Sequence, residues 1–283
     1  MRYRGSGGRP LSLRGKIIAI TRPERQTEEL AGLVSKLGGK PYVAPTVEIK
    51  PIRDRGAIID FHDKIVGGQL DSVVFMSVNG VREMIEALEA VGLRDDTIEG
   101  LSMVDVVAIG PKTRQELERH GIRTKIMPSR YCTEGVIESL REIGVGKKRV
   151  AVLRAEGVDS CMRRELERMG ASVLEVPIYR SVTPSDESKV ITLIDDLLQG
   201  KIDAITFTSS STVQNLFDVA HRHNLASRLK VCLEGKIVVA TIGPVTQRAL
   251  EELGVKVDVV PKEFTVNAMM KALSDYIKGC GVK

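Results

Sequence analysis

The sequence predicts an α/β protein built from two doubly wound parallel-sheet domains, and three observations carry that reading. Short apolar runs alternate with amphipathic stretches of helical period along the chain, the pattern of parallel strands joined by helical crossovers. A strand-to-helix junction, Ala240-Thr-Ile-Gly-Pro-Val-Thr-Gln-Arg-Ala-Leu250, has a twin in Ala108-Ile-Gly-Pro-Lys-Thr-Arg-Gln-Glu-Leu117. The match extends at an offset of 133 through Gly110/Gly243, Thr113/Thr246, Gly121/Gly254 and Pro128/Pro261. Upstream it continues at 132 through Arg22/Arg154, Gly38/Gly170, Pro45/Pro177, Asp71/Asp203, Phe75/Phe207 and Ser77/Ser209. A period near half the chain is too long for a solenoid and reads as a duplicated domain. The 283 residues suffice for two cores of ordinary size.

Taken in order, Lys16–Ile20 is a short apolar run and a buried strand. Thr21-Arg-Pro23 turns the chain into a helix over Glu24–Leu37, which Gly38-Gly39 stops. Tyr42–Ile52 reads as extended, interrupted by Pro45 and closed by Pro51. A helix at Ala57–Ile65, a strand at Asp71–Met76 and a helix at Val81–Val91 follow. The first copy ends with a strand at Val104–Ile109, the Gly-Pro helix, a short strand at Thr124–Met127 and a helix at Thr133–Ile143.

The second copy opens on the strand Arg149–Arg154, then the helix Cys161–Met169 capped by Gly170, and an extended stretch from Ser172 to Thr183 across Pro177. A helix at Ser188–Leu198, a strand at Asp203–Thr208 and a helix at Thr212–Asn224 come next. The strand Lys236–Ile242, its Gly-Pro helix, a short strand at Lys256–Val260 and a helix at Val266–Ile277 complete the chain. The duplication alone divides the chain near Gly146.

Composition narrows the function. Hydrophobic content of 42% and charged content of 28% belong to a globular protein, and no apolar run approaches the ~20 residues that span a bilayer. Aromatics make up 4% with no Trp, which argues against the stacking platforms of a nucleic-acid binder. The net charge of +5 suits an acidic small molecule. Cys132, Cys161, Cys232 and Cys280 show no C-x-x-C pairing, so reduced thiols and a cytoplasmic location are expected. Met1–Gly15 carries four arginines and no apolar core; it is expected to be a flexible extension rather than a signal peptide.

Ligands of open parallel sheets bind at the carboxyl ends of the strands, and the loops there recur in pairs. Thr21-Arg22-Pro23 matches Arg154-Ala155-Glu156, Ser77-Val78-Asn79 matches Ser209-Ser210-Ser211, and the Gly110 turn matches the Gly243 turn. Any one Ser or Asn before a helix is first of all an N-cap. Gathered on one edge, though, hydroxyls, amides and helix N-termini form a rim for carboxylates or phosphates, with Thr246 above the second Gly-Pro turn. Arg22 and Arg154 could clamp a carboxylate there; the alternative is a surface ion pair with Glu24 or Glu156. Tyr179 stands opposite Val47 of the first copy, the asymmetry expected where two domains share a single active site.

Several chemistries lack their signatures. There is no G-x-G-x-x-G after a strand, no G-x-x-x-x-G-K-[ST] and no G-x-S-x-G. His62, His120, His221 and His223 have no Cys or carboxylate neighbours at ligand spacing. A catalyst on this framework would work by positioning and hydrogen bonding.

The chain resembles the uroporphyrinogen-III synthases from about Lys16 to Ile277. The resemblance rests on Ile20-Thr-Arg-Pro23, Phe75-x-Ser-x-Asn-Gly-Val81, Val176-Pro-Ile-Tyr179, Phe207-Thr-Ser209 and Ile242-Gly-Pro-x-Thr246, in that order. It implies two flavodoxin-like domains joined by a two-stranded β connector. Domain 1 would then comprise residues 1–46 and 182–283, domain 2 residues 51–176, and the connector strands 43–52 and 175–183, in place of a split at Gly146. It also implies a reaction without cofactor or metal: linear hydroxymethylbilane closes to uroporphyrinogen III with inversion of ring D and loss of water. By resemblance Tyr179 and Thr246 are the catalytic candidates. Thr21, Arg22, Ser77, Asn79, Gly110, Arg154, Ser209, Ser210, Ser211 and Gly243 would hold substrate. A cytoplasmic monomer is implied, in no more than transient contact with hydroxymethylbilane synthase, and with neither nucleic acid nor membrane as partner. Residues 1–15 lie outside the family pattern, and Met76 stands where the second copy has Thr208. The rival reading keeps the fold but makes it a sensor or binding module for an acidic metabolite. Such a regulator would carry an appended DNA-binding helix-turn-helix, and only Lys278–Lys283 follow Ile277.

Overall fold

The computed structural model describes residues 13–158, 160–235 and 237–280. Two compact units divide the chain: Met1–Glu48 with Val182–Lys283, and Ile49–Ser181. Among the described residues the strands are β1 (Ile17–Ile20), β2 (Lys40–Val43), β3 (Glu48–Pro51), β4 (Ser72–Phe75), β5 (Asp105–Ala108), β6 (Arg149–Ala155), β7 (Ser172–Val182), β8 (Ala204–Phe207) and β9 (Val238–Thr241).

In the first unit the sheet order is β2-β1-β8-β9, all pairs parallel. Val259 adds a parallel bridge to Ala240 at the outer edge. Successive strand residues face opposite sides, and both sides are buried. Ala19, Ile205, Phe207 and Val239 pack with the helices Ser188–Leu198, Ser210–Arg222 and Ala226–Gly235. Ile18, Ile20, Ala204 and Ala240 pack with Thr27–Lys36 and Val266–Cys280. This two-sided burial explains why the inner strands read as largely apolar runs, while the edge strand β2 is mostly exposed.

The second unit repeats the plan. Its sheet order is β3-β7-β6-β4-β5, with β7, β6, β4 and β5 parallel, and Ile126 bridges Val107 at the edge. Val73, Phe75, Val106, Ala108, Ala151 and Leu153 face one core, and Val74, Val107, Val150 and Val152 the other. Leaving β3 aside, β7-β6-β4-β5 corresponds in order to β2-β1-β8-β9, the doubly wound arrangement of flavodoxin-like sheets. The chain passes between units in β3 and at the end of β7. These two strands are sheet neighbours, and Ile52 N–H donates to Ile178 O at 3.1 Å.

The duplication holds at the level of single hydrogen bonds. Asp71 Oδ2 accepts from the first strand N–H of β6, Arg149, at 2.8 Å, and Asp203 Oδ2 from that of β1, Ile17, at 2.8 Å. Each carboxylate supplies the acceptor that an N–H at a strand start would otherwise lack.

Some expectations need correction. The short strands at Thr124–Met127 and Lys256–Val260 are single bridges, at Ile126 and Val259. Two helices, Arg94–Leu101 and Ala226–Gly235, are not foreseen by the sequence pattern. They are equivalent in the two copies, and each buries a short stripe, Thr97 and Leu101 in one and Leu229, Cys232 and Leu233 in the other. The expected flexible extension falls mostly on residues 1–12, outside the described residues. Its end, however, is docked: Leu13 is fully buried in the core, and its N–H donates to Leu37 O at 2.6 Å. Among the described residues, no helix is long and apolar enough to cross a membrane.

Candidate functional site

Each unit gathers the sequence-predicted residues at the carboxyl ends of its own strands. In the second unit the loop after β4 begins the helix Val78–Val91, with Ser77 as N-cap. Ser77 Oγ accepts from Gly80 N–H at 2.9 Å and lies 2.9 Å from the Tyr179 hydroxyl. Tyr179 reaches that position through an irregularity in its strand. β6 and β7 run in register up to Arg154/Pro177, and the register then slips so that Ala155 pairs with Tyr179. Pro177 cannot donate to a ladder, and the extra residue turns the chain locally, as a bulge does. Glu156 N–H closes the slip by donating to Tyr179 O at 2.8 Å.

The tyrosine is 7% exposed. Burial pushes its phenol above the ordinary value, opposed by hydrogen bonds to Ser77 and Asn79, and the balance is upward. The hydroxyl is therefore a neutral donor throughout the physiological range. Arg154, on β6 between them, is buried and bonded to Glu175 Oε1 at 3.0 Å. Glu175, a carboxylate on the neighbouring strand, is thus a partner of this guanidinium. Gly110 is the N-cap of Pro111–Arg119 in extended backbone. A Cβ built there would stand 3.3 Å from Tyr131 Cγ, so any larger residue would press on the ring packed there.

In the first unit, Thr21 follows β1 with its hydroxyl donating to Thr206 O at 2.9 Å, so its side chain is committed to joining strands. Arg22 is different. Its Nη2 donates to Gln26 Oε1 at 3.1 Å, and Glu29 Oε2 lies 3.7 Å from Nη1, beyond hydrogen-bond reach. Nε and Nη1 are buried with no hydrogen-bond partner. Burial lowers the guanidinium pKa, Glu29 raising it in part. A buried guanidinium with orphan donors carries a desolvation cost that an incoming carboxylate would relieve.

Ser209 caps the helix Ser210–Arg222, accepting from Thr212 N–H at 3.3 Å and lying 2.9 Å from Ser211 Oγ. Ser210 is exposed at the first helical position. Gly243 is the N-cap of Pro244–Glu252, and a Cβ there would stand 3.1 Å from Phe264 Cδ1. Thr246 lies buried in the first turn of that helix. The structure thus brings Ser77, Asn79 and Tyr179 together in one unit, and places Thr21, Arg22, Ser209, Ser210, Ser211, Gly243 and Thr246 on strand and helix ends of the other. Sequence reasoning passed over Gln26 and Glu29, which hold Arg22, and over Tyr131 and Phe264. The 133 offset pairs these last two, and it was the available signal. Among the described residues no three His, Cys, Asp or Glu side chains are grouped closely enough to hold a metal ion.

Comparison with known proteins adds an independent line. The family profile described as uroporphyrinogen-III synthase HemD matches residues 28–271. A protein of Methanothermobacter thermautotrophicus provisionally named uroporphyrinogen-III synthase is 36% identical over 261 residues, 91% of this chain and 97% of its own. The uroporphyrinogen-III synthase of Chlorobaculum parvum is 26% identical, over 93% of this chain and 100% of its own. Among solved structures, a mutant uroporphyrinogen III synthase of Thermus thermophilus matches with a TM-score of 0.66 at 22% identity, covering 93% of this chain and 99% of that one; it speaks to the fold.

Proposed function

The chain belongs to the uroporphyrinogen-III synthase family, and on that premise we propose how its own residues carry out the reaction. It is a cyclising lyase of tetrapyrrole biosynthesis that converts hydroxymethylbilane to uroporphyrinogen III. In that reaction the hydroxyl of ring A departs as water and leaves an electrophilic azafulvene. Ring D attacks through its substituted carbon, and the resulting spiro intermediate fragments and recloses with ring D turned over. The electron-rich pyrroles supply the push, so the protein has to position, donate hydrogen bonds and bind acid groups.

The observation that carries this reading is the Tyr179 hydroxyl, buried, neutral and held beside Ser77 and Asn79 at a strand end. A neutral phenol can donate to the departing hydroxyl, and Ser77 can return a hydrogen bond as the phenol shifts towards it. Arg22 supports the same reading from the other unit: its Nε and Nη1 have no hydrogen-bond partner, Glu29 standing 3.7 Å from Nη1, and suit one of the eight substrate carboxylates. Thr246, Ser209 and the amides of the Gly243 turn are assigned to further carboxylates and ring nitrogens.

Incubation with freshly prepared hydroxymethylbilane, oxidation of the product and separation of the isomers tests the whole reading. Isomer III is expected in excess of the isomer I that forms unaided. Isomer I alone would leave the acidic-metabolite binder as the surviving interpretation.

A further inference from the structure

We propose that Tyr131 and Phe264 are substrate-contacting residues, each offering a ring face to a pyrrole of the bilane beside the Gly-Pro turn that it covers. The inference rests on the synthase reading above and adds to it a pair of residues that the strand-end motifs do not include.

Three observations converge. The rings lie on the two glycines, at 3.3 Å from a Cβ placed at Gly110 and 3.1 Å from one placed at Gly243. They are 47% and 54% exposed; among the other described aromatics Tyr276 is 37% exposed, Tyr42 is half-buried and Phe61, Phe75, Phe207, Phe217 and Tyr179 are buried. Their positions correspond in the two copies, 133 residues apart, like the glycines beneath them. Both residues leave surface exposed beside the Gly-Pro turns, next to helix N-termini that attract anions. A pyrrole bearing carboxylate arms combines those two demands: a flat apolar ring for the aromatic face, and acid groups for the amides alongside. The first-turn threonines, Thr113 and Thr246, are buried beneath, so each ring is the aromatic part of its turn open to solvent.

The chain contains no Trp, so Tyr131→Trp introduces a single indole at the proposed contact. Titration with uroporphyrinogen III, anaerobically and in the dark, should change its emission saturably. The control is Met103→Trp in the same unit. Met103 is 85% exposed just ahead of β5, at the amino end of the strand and away from the Gly110 turn, and its indole should not respond.

The kinetic arm uses Tyr131→Leu and Phe264→Leu. Each should raise KM for hydroxymethylbilane by about 3–10-fold, the span expected for one aromatic contact, with a smaller effect on kcat. Tyr131→Phe and Phe264→Tyr should restore it. Raised KM in the leucine variants with a silent indole at position 131 would mean that the rings act through the turn, and overturns the proposal. So does wild-type KM in both leucine variants, while the synthase reading stands because the wild-type protein still makes isomer III. If the wild-type protein makes no isomer III, the synthase reading itself falls and this inference with it. An indole that responds to added hydroxymethylbilane synthase but not to uroporphyrinogen III would replace the pyrrole with a protein partner and refute the assignment.

Discussion

Tyr179→Phe separates chemistry from packing, because it removes one oxygen and keeps the ring. The hydroxyl bonds to Ser77 at 2.9 Å and to Asn79. Each lost hydrogen bond is worth about 0.5–1.5 kcal/mol net. Ser77 and Asn79 are only half-buried, so water can reach them and the penalty for stranded groups stays small. The expected destabilisation is about 1–2 kcal/mol, which lowers Tm by roughly 2–8 °C. Loss of a donor to a departing hydroxyl costs more. We expect ~10²-fold in the single-turnover rate, the low end for general acid assistance because the pyrrole itself expels the group. That corresponds to about 2.7 kcal/mol at the transition state. The assay is rapid-quench formation of isomer III under enzyme excess, well below Tm, with thermal unfolding measured on the same sample. Ser77→Ala should cost about 1 kcal/mol as a lost N-cap and slow the step less, since the phenol keeps its own proton. If Tyr179→Phe turns over at the wild-type rate while Tm falls as calculated, the tyrosine is only packing and the chemical assignment is refuted.

Three further outcomes follow from the same structure. Arg22→Ala should raise KM, most at low ionic strength where charge is least screened, and raise the fraction of isomer I; excess enzyme should restore isomer III, and isomer I persisting at saturation would show that Arg22 steers ring closure rather than holding substrate. Thr246→Val, nearly isosteric, should slow isomer III formation with little change in Tm; an unchanged rate removes Thr246 from the site. Tyr42 bonds to Asp196 at 2.7 Å and its pKa is pushed up to about 12, by burial first and then by Asp196. The folded state therefore favours the protonated phenol over the unfolded chain, so this stabilisation is complete below pH ~10 and lost as the pH rises from there to about 12. Tyr42→Phe should flatten the fall in stability over that window, and identical alkaline profiles would refute the assignment.

Much of the fold was legible because parallel strands buried on both faces are mostly apolar, as in Ser72–Phe75 and Ala204–Phe207, where Ser72 and Thr206 are the polar exceptions. The Gly-Pro junctions were legible because Pro at the first helical position and an extended glycine before it mark a helix start. The helices Arg94–Leu101 and Ala226–Gly235 were not, since each follows another helix directly and buries a stripe of only two or three residues. The docking of Leu13 was hidden by the arginines and glycines before it. At the site, residue types and strand-end positions could be read, but not their company. That Tyr179 meets Ser77 depends on a register slip after Arg154, which no local spacing announces. That Arg22 keeps two donors unspent depends on how far Gln26 and Glu29 reach back along one helix turn. The offset links Tyr131 to Phe264, yet it does not say that either ring returns to its glycine.

The interleaving of the two units bears on how the protein is made. The unit Ile49–Ser181 is contiguous and can close its sheet as soon as it leaves the ribosome. The other unit cannot. β1 lies between β2 and β8, so one edge of the first strand waits for a partner encoded almost two hundred residues later. At ~5–20 residues per second that interval is on the order of 10–40 s, during which the apolar Ile-Ile-Ala-Ile segment keeps an unpaired edge. Translation therefore leaves a window in which the nascent chain exposes a sticky strand beside an already folded neighbour. A chaperone that shields the first fifty residues would protect the yield of this protein more than one acting on the released chain.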